Sequence, residues 1–98
     1  MTIEILDRAR QDFLEGFRFY EKQRDGLGRY FFDSLMSDIE SLRLYAGVHA
    51  KHLEYYRMIA RRFPYAIFYR IENDTIRVHA VLDCRRDPAW IYKRLTQG

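Results

Sequence analysis

Residues Tyr65–Asp83 constrain the fold more than any other part of the chain. Tyr65, Ile67, Tyr69 and Ile71 alternate with Ala66, Phe68, Arg70 and Glu72. After Asn73-Asp74 a second run alternates Ile76, Val78, Ala80 and Leu82 with Arg77, His79, Val81 and Asp83. A period of two marks a strand, and an Asn-Asp pair between two such runs closes them into a tight hairpin. Pro64 cannot donate to a ladder, so it ends or bends what precedes the hairpin. An earlier strand is expected near Tyr56–Arg62, reached by a loop that starts at Val48. The hairpin is apolar along its body and basic at its ends, with Arg61-Arg62 at the entrance and Arg85-Arg86 at the exit.

The first half reads differently. Thr2–Leu6 is a short β-prone run, and Asp7 is placed to cap a helix. Ala9, Phe13, Phe17 and Tyr20 then recur at helical spacing, with Leu14 widening the stripe. Arg8, Arg10, Asp12, Glu15, Arg18 and Lys22 take the other side. Gly26 and Gly28 break this helix. A second one follows, with Phe31, Phe32, Leu35, Met36, Ile39 and Leu42 in register and Gly47 as its C-cap. So short a connection makes the pair an antiparallel hairpin. Asp87-Pro88 opens a last helix to about Leu95, with Asp at the N-cap and Pro at N1. The expected class is α+β in the order β-α-α-β-β-β-α. A helical hairpin packs on a mainly antiparallel sheet, with a short C-terminal helix, as one domain over residues 1–98.

Charge is distributed unevenly. The first fifty residues carry a net −2 and the rest a net +5, so the C-terminal half is the part suited to an acidic partner. The single cysteine, Cys84, allows no internal disulfide, which fits a reducing compartment. The N-terminal MTIEILDRARQDF is charged throughout and does not read as a secretion signal. No stretch approaches the ~18 apolar residues of a membrane span. A cytoplasmic protein with no membrane partner is expected.

Two phrases carry a resemblance: YEKQRDGLGRYFFDSL in the helical hairpin, and RRFPYAIFYRI … VLDCRRDP across the sheet. Together with the order of elements they make the chain, from about Ile3 to Leu95, similar to the RelE/ParE superfamily of toxins from bacterial type II toxin–antitoxin modules, some labelled plasmid stabilisation proteins. The resemblance implies a cognate antitoxin that wraps and neutralises the chain. It also implies one of two targets. RelE-like members are mRNA interferases that cleave message in the ribosomal A site, whereas ParE-like members poison DNA gyrase.

The residues bear on that choice. On a RelE-like reading, Arg86 and Tyr92 fall at the catalytic arginine and tyrosine, and Arg70 would clamp phosphate in place of an expected strand arginine that is Ala66 here. Losing that arginine removes charge-assisted hydrogen bonds where cleavage needs them, and Arg61 and Arg62 would be poor proton shuttles. The ParE-like reading is therefore favoured, with Arg61, Arg62, Arg85, Arg86 and Tyr92 as target-binding residues. An endoribonuclease is the alternative, and a relative that has lost toxicity and only binds is a third.

No cofactor, small-molecule ligand or metal site is expected. His49 and His52 lack a third ligand in sequence, and His79 lacks a facing acid or second histidine. Cys84 reads as an inert thiol at a strand end, and Asp83 and Asp87 either pair with Arg85 and Arg86 or, for Asp87, serve only as a cap.

Overall fold

The structure is a computed structural model that describes residues 1–97. Strand β1 (Thr2–Ile5) leads into helix α1 (Asp7–Gln23), α2 (Leu27–Glu40) and a single turn, α3 (Leu42–Tyr45). Strands β2 (Lys51–His52), β3 (Tyr55–Ile59), β4 (Tyr65–Glu72) and β5 (Thr75–Asp83) follow, and helix α4 (Pro88–Thr96) closes the fold. The sheet order is β1-β5-β4-β3-β2, with β1 parallel to β5 and the other pairs antiparallel. The α+β class and the helical hairpin on the sheet are as the sequence predicts. The turn α3 and the two-residue strand β2 are additions to the expected order.

The sheet is covered on both faces. Against one face, α1 and α2 pack Phe13, Tyr20, Phe31, Leu35 and Ile39 onto Ile67, Tyr69, Ile76 and Val78. On the other, Leu95 of α4, with Trp90 and Ile91, covers Ala66, Phe68, Ala80 and Leu82. Burial on both faces explains why Ala80–Leu82 is continuously apolar.

The alternation along β5 is not the one expected. Pairing steps from Phe68↔Ala80 to Tyr69↔Val78, so His79 is an extra residue in a β-bulge. The bulge puts Ala80 and Leu82 on the α4 face, while Ile76, Val78 and Val81 share the face under α1 and α2.

Local chemistry sets the connections. Gly26 turns the chain between α1 and α2 at φ +86°, a conformation that favours glycine. Glu21 then reaches across to accept hydrogen bonds from Gly26 N (3.0 Å) and Gly28 N (2.9 Å), satisfying donors that α2 leaves open at its start. Asp7 is the first residue of α1 and makes no side-chain cap. Gly47, at φ +94°, lies beyond α3 rather than at the end of α2, and its N–H donates to Tyr69 Oη. Asp87 caps α4, accepting from Ala89 N at 2.9 Å.

Asp12, placed by its spacing among the solvent-facing charges, is buried instead. Strand β1 stops at Ile5, and Asp12 Oδ2 accepts the Val81 N–H of β5 at 3.0 Å. Arg94 of α4 donates to the same oxygen at 2.6 Å, so this carboxylate ties α1, β5 and α4 together.

Candidate functional site: the groove beneath the C-terminal helix

Between α4 and the sheet runs a groove of about 530 Å³. Its floor is Ala66, Phe68 and Leu82, and Pro88, Ala89 and Ile91 form the α4 wall. The rim carries Arg57, Arg86, His52 and Tyr92, the last 57% exposed. Short-range contacts place the two arginines. Arg57 sits opposite Phe68 in the β3–β4 register, and its Nη2 lies 3.7 Å from Cys84 Sγ. Arg86 lies with its guanidinium carbon 3.9 Å from the centroid of Trp90, a cation–π contact.

Among the described residues the groove lining contains no carboxylate. Four other concavities each contain at least one: Asp7 and Glu54 beside Arg70; Asp12, Glu15 and Asp83 between α1 and β5; Asp12 and Glu15 beside Lys93; Glu54 and Glu72 beside Lys51. Among the described residues neither Arg57 nor Arg86 has a carboxylate within ion-pair distance.

The residues singled out from sequence separate into distinct environments. Arg86 and Tyr92 do share the groove, together with Ala66. Arg70 does not line it; it lies 4.3 Å over the Tyr55 ring and 3.3 Å from Glu54. Arg85 is engaged by Asp83 through Nε (3.0 Å) and Nη2 (2.7 Å), and this hydrogen bonding holds the Asp83 carboxyl below its ordinary range. Arg61 clamps Asp38, which accepts from Arg61 N at 3.2 Å and Nε at 2.8 Å while its own side chain is only 5% exposed. Arg62 is exposed.

The histidines also part company. His49 Nδ1 lies 2.6 Å from Tyr69 Oη, and burial lowers its pKa. His52 joins the groove rim 6.1 Å from Phe68. His79 packs 5.0 Å from Tyr55, its Nε2 buried without a partner. Burial first, then the Arg70 charge, depresses its pKa and keeps the ring neutral.

Two features of the groove escape sequence reasoning. Arg57 falls in a stretch where the short β2 hides the period of β3. The isolation of Arg86 also depends on which acid goes where: Asp83 is taken by Arg85 and Asp87 by the helix cap.

Comparison with known proteins agrees with this architecture. A family model described as the ParE toxin of type II toxin–antitoxin system, parDE, matches residues 3–88. A chain from the solved structure of a chromosomal ParDE TA system from P. aeruginosa superposes with a TM-score of 0.72 at 13% identity. The match covers 83% of this chain and 92% of that one. No curated protein matches. No helix is long and apolar enough to cross a membrane among the described residues. With the sheet order, the helical hairpin and most of its length all accounted for, the chain belongs to the ParE toxin family of type II toxin–antitoxin systems.

Proposed function

We propose that the chain arrests growth in the cytoplasm by gripping DNA gyrase through the groove beneath α4, and that a cognate antitoxin neutralises it. The observation that carries the reading is a rim with two arginines free of carboxylate partners over an apolar floor. Such a surface favours a desolvated, charge-complementary contact. Arg86 and Tyr92 serve as binding residues in it. Arg61 and Arg85 are instead held by Asp38 and Asp83, and Arg62 is exposed; on this reading Arg61 acts through the fold, and Arg85 and Arg62 act at most on encounter.

Arg86 and Tyr92 sharing one groove is the feature that favours the ribonuclease alternative. Against it stand Ala66 in the floor and Arg70 held away on Tyr55 and Glu54. An arginine over Trp90 can stabilise charge but is a poor proton donor to a leaving oxygen.

Purified chain added to a gyrase supercoiling assay, and separately to programmed ribosomes with message cleavage read at codon resolution, decides between the targets. The expected result is loss of supercoiling with intact message. Cleaved message with unaffected gyrase would overturn the reading.

A further inference from the structure

We infer that the groove takes an acidic segment of its protein partner, seating a carboxylate between Arg57 and Arg86 with apolar neighbours on the Ala66–Phe68–Leu82 floor. This rests on the groove being the target-binding surface, and it names the chemistry the target must offer. Arg57 comes from β3, and its one contact of note is Cys84 Sγ at 3.7 Å, a weak acceptor that leaves the charge uncompensated. Arg86 has one face on Trp90, which leaves its N–H edge to meet a carboxylate bidentately. The nearby acids are already spent, Asp83 on Arg85 and Asp87 on Ala89 N. Ala66, Phe68 and Leu82 are 1%, 1% and 3% exposed, so the floor adds little contact area of its own and the two arginines carry the preference for an acid.

Charge at the Arg86 end of the groove selects protein over nucleic acid. A polynucleotide needs a cationic track that follows its backbone. Beyond Leu53 the surface continues into a concavity of mixed charge, lined by Asp7 and Glu54 with Arg8, Arg70 and Arg94, but beyond Arg86 it continues into one lined by Asp12, Glu15 and Asp83. A phosphodiester chain leaving past Arg86 meets like charge. A polypeptide with an isolated acid between apolar side chains does not.

The chain's single tryptophan, Trp90, lies against Arg86 and reports occupancy by its fluorescence. Three probes are titrated into the full chain: a synthetic peptide of leucine and alanine with a central Glu-Leu-Glu, its Gln-Leu-Gln counterpart, and an oligothymidylate of similar length. The Glu peptide is expected to bind at least about tenfold tighter than either other probe. Arg57→Gln and Arg86→Gln should each weaken it roughly tenfold to a hundredfold, with circular dichroism verifying that both variants fold. Charge-reversed Arg57→Glu should instead prefer a Lys-substituted peptide. Equal affinity for the Glu and Gln peptides, or tighter binding of the oligothymidylate, overturns the inference. Gyrase separates it from the reading it rests on. Inhibition undiminished in both Gln variants removes the carboxylate site and leaves gyrase as target. A wild-type chain that ignores gyrase yet keeps its Glu preference removes gyrase and leaves the site.

Discussion

Replacing Arg94 with methionine should produce a stability loss that depends on pH, because of what it leaves behind. Asp12 and Arg94 are 9% and 11% exposed at their side chains and meet at 2.6 Å. Burial pushes the Asp12 carboxyl up from 3.8 to about 6, while the Val81 N–H and the Arg94 guanidinium pull it down. A pKa raised by about two units means that folding disfavours the carboxylate by roughly 3 kcal/mol at neutral pH. The folded state therefore holds the proton more tightly. The Asp12 contribution is most favourable below about pH 4, is lost as pH rises from about 4 to 6, and is flat above.

Methionine keeps much of the packing volume but removes the cation, so the Asp12 pKa rises further and the falling limb extends upward. At pH 5 Asp12 is largely protonated in both proteins. Val81 N and Arg94 both use Oδ2, so Oδ1 can take the proton without breaking either contact. The loss there is about 1 kcal/mol, the worth of hydrogen bonds alone. At pH 8 a charge is stranded, and breaking a buried pair costs about 3–5 kcal/mol. Retaining the proton caps the difference between the two conditions at about 1.36 kcal/mol for each pH unit above 6, or just under 3. For a chain of this length the variant should melt about 5 °C lower at pH 5 and about 15–20 °C lower at pH 8. Urea melts across pH 4.5–8.5 on wild type, Arg94→Met and Asp12→Asn test the account. The Asn variant should lose most of the slope between pH 4 and 7. An Arg94→Met penalty that is the same at pH 5 and pH 8 would refute the reasoning.

Further outcomes follow from contacts described above. Asp38→Ala removes both acceptors of Arg61, and a loss of about 1–3 kcal/mol is expected in denaturant melts. Arg61→Ala leaves the buried carboxylate with only the residue-61 backbone N–H and should destabilise as well, so any effect on gyrase inhibition should vanish once folded concentration is normalised. Gly16→Ala would set a Cβ 2.5 Å from Phe31 Cζ in the core, costing about 1–3 kcal/mol in thermal melts. Tyr69→Phe deletes the partner of Gly47 N (3.0 Å) and His49 Nδ1 (2.6 Å); about 1–2 kcal/mol should be lost. Hydrogen exchange should then quicken first around residues 46–50.

The β4–β5 hairpin was legible because its period, turn residues and flanking proline agree. Strand β3, at Tyr55–Ile59, was legible to within a few residues of the expected Tyr56–Arg62, but β2 and the turn joining the two were not. Leu53 takes that turn at φ +58°, where glycine or asparagine would have flagged it, and β2 offers only two residues of period. The bulge at His79 is invisible because a strand covered on both faces is apolar in either register. Asp12 looked like one more surface charge. What buries it is the length of β1, four residues short enough to leave the Val81 N–H waiting. The groove was half legible. Arg86 comes from a phrase that can be read and Tyr92 from the helix that follows it, but Arg57 depends on cross-strand register, and the lack of an ion pair at Arg86 depends on how two aspartates are allotted among neighbours.

The parallel pairing of β1 with β5 has a consequence for how the protein comes into being. Thr2–Ile5 bonds to Thr75–Val78, so β1, once released from a ribosome, finds its partner only after some seventy residues more. Closing so long a loop comes before any reward from the pairing. Helices α1 and α2 can form early, yet their apolar faces have no sheet to cover until β4 and β5 emerge. The groove waits longer still, since α4 is made after every strand. A partly synthesised chain therefore holds no formed groove, and the interval before β5 is released is one in which exposed apolar helices are most open to capture by another protein.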